Sequence, residues 1–330
     1  MSRRSLFFTG ERSVEVRDRP VPEPEAGEVL VRTERTAMSP GTELLVYRGE
    51  VSAGAAADET IEALDGEFSY PLQYGYAAVG RVAETGADVG EEWLDRRVFA
   101  FNPHESHFTA DPEALVPTTL APERALFVPT VEAAVNFVMD ARPRIGSRVV
   151  VFGQGSIGLA TTALLAEFPL AELVTVDYDE KRRAVSESFG ADRAVSPDAV
   201  DSVLSEPADV SLELSGNPEA LGDAIDVAGF AGRVIVGSWY GTKDVSLRLD
   251  EQYHRSHVRV RSSQVSRIDP DHADRWDKRR RMEYVTSWLA DADLSPVLTH
   301  EFEIGDAKRA YRVVDERRDG VIQAAFRYDR

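Results

Sequence analysis

The spacing of apolar residues changes character part-way along the chain. Up to about residue 125 it alternates over short stretches that end at glycine or proline. "SLFFTG" and "SVEVRD" predict a hairpin across Gly10-Glu11-Arg12, and "PVPEPEAGEVLVRTERTAM" predicts a proline-rich connection into an alternating strand. "AAVGRVAETG" and "RRVFAFNPH" read as further strands, and "HFTADPEALVPTT" closes a small, mostly β region. The longest loop is expected at residues 52–69, "SAGAAADETIEALDGEFS".

Beyond about residue 130 strands and helices alternate. "RVVVFG" is a short, continuous apolar run, as a strand buried on both faces would be. "SIGLATTALLAEF" has the helical period, "LVTVD" is a strand, and "DEKRRAVSESFG" is a helix ended by Gly190. "VSLELSG", the helix "PEALGDAIDVAG", the strand "GRVIVG" and a last strand in "VRVRSSQV" follow. This alternation predicts a parallel sheet with right-handed crossovers. One long helix, "HADRWDKRRRMEYVTSWLADA", then strand, helix and strand, is expected over residues 270–330, with the final strands returning to the first region. The expected fold class is α/β. Residues 1–125 and 270–330 form a mostly β domain, and residues 126–269 form a doubly wound parallel-sheet domain.

Composition narrows the function. With 330 residues the chain is too long for one ordinary core. No apolar run approaches the ~18–20 residues that cross a bilayer, and "MSRRSLFFTGERSVEV" lacks the apolar core of a signal peptide, so a cytoplasmic protein without a membrane partner is expected. Zero cysteine excludes disulfides and thiolate-bound zinc or iron–sulfur centres. The net charge of −19 repels phosphate-rich partners, so no nucleic-acid partner is expected. Only four of the 38 basic residues are lysine. An acidic, lysine-poor chain suits a salt-loaded, halophilic cytoplasm; a GC-rich genome accounts for the arginines but not for the acidic excess.

The chemistry starts at Gly153-Gln154-Gly155-Ser156-Ile157-Gly158, a GxGxxG that follows an expected strand and opens an expected helix. Gly153 permits the tight turn, Gly155 lets backbone approach a pyrophosphate, and Gly158 allows close helix–strand packing. The first helical turn, with Ser156 and Ile157, offers N–H donors to phosphate. Asp177 ends the next strand, where a carboxylate accepts ribose hydroxyls and repels a 2′-phosphate. NAD(H) is therefore the expected cofactor. Tyr178, Arg182 and Arg183 follow on the adenosine side, although the arginines also suit an exposed helix face.

The hairpin, "PVPEPEAGEVLVR", "GTELLVYRG", "YPLQYGYAAVGRV", the GxGxxG, "SGNPEAL" and "GRVIVGSWYG" together resemble the medium-chain dehydrogenase/reductase superfamily, over essentially the whole chain. The resemblance implies a GroES-like catalytic domain built from both chain ends around a Rossmann domain. Within it, "SPGTELLVYRG", "YGYAAVGRV", "GSWYG", "SSQV" and "RWDKRRR" are similar to the branch named for bacteriochlorophyllide a dehydrogenase. Zinc members of the superfamily carry "CGTD" and "GHE" motifs. Here Pro40 stands at the Cys position, Tyr76 at the His and Ala77 at the Glu, and Val128 or its neighbours stand where a third ligand is expected. No metal is expected.

The resemblance places Thr42 at the superfamily's proton-relay position, with a turn or N-cap bond as the plainer role. Tyr76 is either an oxyanion donor or a filler of the vacated metal volume. Glu43 either bonds Tyr76 or is a solvated helix charge. "FNPHESHF" is expected to bring Asn102 and His104 to the substrate side, His104 as general acid/base, with His107 beside them; surface histidines on a polar loop are the plainer reading. Ser215, Gly237, Ser238, Ser262 and Ser263 sit at strand ends that hold the nicotinamide half, and Trp239 and Tyr240 cover the substrate or pack. The implied activity is zinc-independent, NAD(H)-dependent interconversion of a secondary alcohol and a ketone on a small molecule. Quinone-reductase-like C=C reduction and a non-catalytic NAD sensor are the alternatives. The last Rossmann strand is expected to pair with its twin in a homodimer.

Overall fold

A computed structural model describes residues 2–52, 54–58, 60–317 and 320–328; Ala53 and Glu59 of the expected loop lie outside them. The chain opens with the antiparallel hairpin β1 (Ser2–Gly10) and β2 (Ser13–Pro20), turned at Arg12 with φ 52°. It continues through β3 (Val29–Ala37), α1 (Glu43–Arg48), β4 (Ala78–Thr85), β5 (Arg97–Ala100), β6 (His107–Ala110), β7 (Val116–Pro117) and α2 (Pro122–Ala125). Then come α3 (Val128–Ala141), β8 (Arg148–Phe152), α4 (Ser156–Leu165), β9 (Glu172–Val176), α5 (Glu180–Ser188) and β10 (Arg193–Val195). They are followed by α6 (Val200–Val203), β11 (Ala208–Glu213), α7 (Pro218–Asp226), β12 (Ala228–Val236) and β13 (Arg259–Ser262). The chain ends with α8 (Lys278–Asp291), β14 (Leu298–Glu303), α9 (Ala307–Asp315) and β15 (Gln323–Arg327).

These elements form two compact units, residues 1–129 with 286–330, and residues 130–285. In the first, the sheet order is β14-β15-β3-β4-β5-β7, with β6 also on β3. The last strand is thus inserted beside one of the first: β15 runs parallel to β14 and antiparallel to β3. The core of this unit gathers Leu6, Phe8, Tyr47, Tyr311 and Phe326. Burying a Phe-sized side chain contributes about 1.5–3 kcal/mol, which ties both chain ends into one core.

In the second unit the sheet is entirely parallel, in the order β10-β9-β8-β11-β12-β13. The order reverses at β8, the doubly wound arrangement. Val149, Val150, Val151 and Phe152 of β8 are all buried, which explains a continuous rather than alternating apolar run. β13, the strand expected to meet a second copy, is an edge strand.

Three expectations need correction. The long helix begins at Lys278, not at residue 272, because the Asp277 carboxylate caps it by accepting from the Arg280 amide at 2.7 Å. Residues 270–285 belong with the parallel-sheet unit rather than with the first domain. They are held there by Arg142 to Asp271 (2.7 Å), His272 Nε2 to the Met139 carbonyl (3.1 Å) and the buried Arg281–Glu132 pair. Glu43 is not a solvated helix charge but 1% exposed. Among the described residues no helix is long and apolar enough to cross a membrane.

Candidate active site

Two groups of site residues form, one on each unit. On the parallel-sheet unit, β8 runs into the glycine turn. Gly153 takes φ +89°, and a Cβ on it would lie 2.5 Å from the Ser215 Cα. A Cβ on Gly158 would lie 1.9 Å from the Gly153 carbonyl oxygen. Gly155 differs: its φ is −74° and no atom lies within 4 Å of a Cβ placed there. Nothing inside the protein requires glycine at that position, whereas a pyrophosphate brought against the backbone would. Gly155 caps α4, whose first amides, from Ser156 and Ile157 onward, lack intrahelical acceptors.

Gln154, an unspecified position of the motif, is fully buried. Its amide nitrogen donates to the Val151 and Gly153 carbonyls (3.3 and 3.2 Å), and its oxygen accepts from Thr162 (3.0 Å). The turn is therefore braced from beneath. Asp177, just past β9, accepts from the Gln154 amide (2.7 Å) and the Asp179 amide (2.8 Å), one per oxygen. Each oxygen keeps a further lone pair for a ribose hydroxyl. Tyr178 is 65% exposed, and Arg183 donates to the Asp177 and Tyr178 carbonyls at 2.9 Å each. Arg182 donates its amide to the Asp179 cap at 3.3 Å.

A residue missed from the sequence organises the next strand ends. Glu213, fully buried at the end of β11, accepts from the Ser215 amide (2.7 Å), the Ser215 hydroxyl (2.5 Å) and the Tyr240 hydroxyl (2.6 Å). Burial, then the Glu213 charge, push the Tyr240 phenol far above its ordinary value. Ser238 Oγ accepts from the Gly216 amide at 2.9 Å. A Cβ on Gly237 would strike Leu214 and Phe137. Trp239 remains 45% exposed. The signal available was an acid inside an apolar strand, "VSLELSG".

Ser262 is exposed at the end of β13, but Ser263 is buried. The Ser263 hydroxyl donates to Asp140 (2.5 Å) and accepts from Asn136 (3.0 Å), and its amide is spent on the Val236 carbonyl (2.8 Å). Among its backbone groups, the carbonyl rather than the amide is left for a ligand.

On the mostly β unit, Tyr76 lies beside Ser39 and Thr42. Its hydroxyl is 2.5 Å from Ser39 Oγ and 3.2 Å from Thr42 Oγ1. Thr42 precedes α1 without a side-chain capping bond. Burial raises the Tyr76 pKa, and the two hydroxyl bonds oppose that rise. Gly75, at φ +111°, lies against the His104 ring, which a Cβ would approach to 2.7 Å.

His104 does not reach a substrate-facing surface. It is fully buried, with Nδ1 2.7 Å from Thr36 Oγ1 and Nε2 3.0 Å from Glu43. With a carboxylate accepting at Nε2, the Nε2–H tautomer fits, and Nδ1 accepts from Thr36. Glu43 also accepts from the Ser39 amide (2.7 Å) and the Tyr311 hydroxyl (2.5 Å), and does not bond Tyr76. Asn102 is buried as well, donating to the Pro103 carbonyl (3.0 Å) and Glu105 (3.2 Å). His107 lies on β6 with Nδ1 3.0 Å from Ser106 Oγ; burial lowers its pKa. The physical reason is β1: Leu6 donates to the His104 carbonyl and Ser106 to the Arg4 carbonyl, so this stretch is a junction between strands.

Comparison with known proteins agrees with this architecture. Residues 156–278 match the family model described as "Zinc-binding dehydrogenase". L-threonine 3-dehydrogenase of Legionella pneumophila (strain Corby) is 22% identical over 94% of this chain and 96% of its own length. The Coxiella burnetii (strain RSA 493 / Nine Mile phase I) enzyme of that name is 23% identical over 92% and 93%. 2R,3R-butanediol dehydrogenase from Bacillus subtilis superposes with a TM-score of 0.80 at 18% identity, over 99% of this chain and 100% of that one. A protein named short chain alcohol dehydrogenase from E. coli CFT073, complexed with cofactor NADH, gives 0.77 at 16%, over 99% and 100%. Residues 156–278 thus resemble the zinc-binding dehydrogenase family, and the solved dehydrogenase structures share the fold of the chain.

The zinc of many superfamily members has no fitting donor set here. Pro40, Ala77 and Val128 offer no ligand atom, and Tyr76 is engaged with Ser39 and Thr42. A zinc site needs three or four N, S or O donors at about 2.0–2.3 Å. Among the described residues no three His, Asp or Glu side chains converge as such a set.

Proposed function

We propose that the chain is an NAD(H)-dependent oxidoreductase that interconverts a secondary alcohol and a ketone of a small molecule without catalytic zinc. The observation that carries this reading is the cluster of hydroxyls in which Tyr76, at the position of the zinc-ligand His in the resemblance, bonds Ser39 and Thr42, the latter at the proton-relay position. The dehydrogenase relatives and the NADH-bound neighbour support the cofactor and reaction class. When bound, the nicotinamide exchanges a hydride at C4. The turn at Gly155 and the first turn of α4 hold the pyrophosphate, and Asp177 accepts from the ribose hydroxyls. Backbone groups ending β12 and β13 orient the carboxamide. Tyr76 donates to the substrate oxygen, where charge develops, and delivers its proton in the reducing direction.

Titration of NADH against NADPH tests the cofactor half. NADH should bind about tenfold tighter or more, about 1.4 kcal/mol, and Asp177→Ala should narrow the gap. Equal affinities in the unaltered protein would contradict the assignment. For the metal, elemental analysis should find less than one zinc per chain, and chelators should leave turnover intact. Tyr76→Phe should lower turnover about 100-fold or more. Reduction of a conjugated ketone at its C=C bond instead of its carbonyl would favour the quinone-reductase chemistry.

A further inference from the structure

The hydroxyls of Ser39 and Thr42 do not stand equally toward Tyr76. A phenol has one proton and donates one bond. Ser39 Oγ, at 2.5 Å, takes it in preference to Thr42 Oγ1, at 3.2 Å. Thr42 then reaches the phenol oxygen only as a donor. Ser39 Oγ, already accepting, keeps its own proton for a further group. Its backbone is fixed too, because the Ser39 amide donates to Glu43 Oε1 at 2.7 Å. Glu43 Oε2 is held by His104 at 3.0 Å and Tyr311 at 2.5 Å, so the buried carboxylate has a firm seat. The remainder of the chain, Tyr328 to Thr36 (3.1 Å) and Thr36 to His104 (2.7 Å), closes that network. Ser39, Thr42 and Tyr76 are each half-buried as residues.

We propose that Ser39 is the proton partner of Tyr76, a positioning residue that orients the phenol and restores its proton after each transfer. This rests on the reading of Tyr76 as the donor. In the reducing direction the substrate carbon takes the cofactor's hydride, and the substrate oxygen takes the Tyr76 proton. The phenolate oxygen takes the Ser39 Oγ proton, and Ser39 takes one from water, releasing hydroxide. Oxidation reverses each transfer. Glu43 and Asp58 are the charges that face Tyr76, and both raise its pKa after the larger effect of burial; Tyr74 packs edge-on at 6.2 Å. Ser39 and Thr42 pull the other way. Loss of the Ser39 bond should therefore move the phenol's ionisation to higher pH, and with it the alkaline limb of reduction.

The full chain labelled with ¹³C at tyrosine Cζ provides the test, with the Tyr76 resonance assigned by its absence in Tyr76→Phe. Ser39→Ala should raise the Tyr76 titration midpoint further than Thr42→Val does, and Ser39→Thr should restore it. With 3-hydroxybutan-2-one and NADH as probe, Ser39→Ala should lower turnover about tenfold or more, change the solvent deuterium effect and leave NADH affinity unaltered. An unmoved midpoint in Ser39→Ala, or an equal movement in Thr42→Val, would overturn the pairing whether or not the probe is turned over. Turnover lost in Tyr76→Phe but kept in Ser39→Ala would overturn the relay alone. Turnover kept in Tyr76→Phe would overturn the donor reading and the relay with it.

Discussion

Gly155 and Gly158 belong to one motif yet are glycine for different reasons. A methyl on Gly158 would sit 1.9 Å from the Gly153 carbonyl oxygen, so helix and strand must separate to admit it. A methyl on Gly155 meets nothing within the chain. Gly158→Ala should therefore lower the melting temperature, a backbone clash costing about 1–3 kcal/mol. Gly155→Ala should melt close to the unaltered protein and lose about tenfold or more in NADH affinity, about 1.4 kcal/mol. Calorimetry and titration on the two variants separate the cases, and a Gly155→Ala protein with undiminished NADH affinity would remove this turn from the cofactor site. The motif's outline was legible in the sequence because its spacing follows the backbone. The bracing by Gln154 and Glu213 was not, because buried polar partners come from other strands and only the packed structure pairs them. "FNPHESHF" misled for the same reason: a polar run reads as surface, while β1 covers it and satisfies its donors and acceptors.

At the scale of elements, the least legible part is the network joining α3, α8 and the end of β13. Helix α3 is buried almost all round, so it lacks the one-sided apolar stripe that reveals a helix in sequence. Strands β8 and β9 were legible as buried apolar runs, whereas β10 has only three residues and β13 is a largely exposed Arg-Val-Arg-Ser edge. In "DKRRRMEY" nothing distinguishes Arg281 from its neighbours, yet it is fully buried while Lys278, Arg279 and Arg280 are exposed. Its guanidinium donates to Glu132 (2.6 and 3.1 Å), to Asn136 Oδ1 (2.7 Å) and to the Val265 carbonyl (2.6 Å). Burial raises the Glu132 pKa and Arg281 opposes the rise. Arg281→Met strands that carboxylate and should cost about 3–5 kcal/mol, whereas Arg281→Met with Glu132→Leu should recover most of the loss. The single variant should also lose stability as pH rises. A carboxyl whose folded pKa lies above its unfolded value binds more protons when folded, so its contribution falls once pH passes the unfolded pKa. Denaturant melts at pH 5 and pH 8 check both points; a single variant as stable as the double at pH 8 would mean that Glu132 finds another partner.

Across the whole molecule, the property that stands out beyond the two sites is charge. The 57 acidic against 38 basic side chains leave −19, and self-repulsion of that size opposes the compact state. Salt shortens the reach of each charge from about 10 Å at 0.1 M to about 3 Å at 1 M. We propose that the fold is adapted to a salt-rich solvent, so its melting temperature should climb from 0.1 M to 2 M KCl. Salt also strengthens apolar burial in general, so the climb alone does not identify screening. The end of β4 and the stretch after it isolate the cause: Glu84, Asp88, Glu91 and Glu92 are all exposed within nine residues of one another. Glu84→Gln, Asp88→Asn, Glu91→Gln and Glu92→Gln together bring the charge from −19 to −19 + 4 = −15 without touching a core contact. If repulsion governs, this variant should melt higher than the parent at 0.1 M KCl, by about 2–4 °C per kcal/mol relieved. It should also gain less on going to 2 M, so that the two curves converge where the charges are screened. Parallel curves, with the same gain for both proteins, would assign the salt effect to apolar burial and leave the acidic surface without a stabilising role.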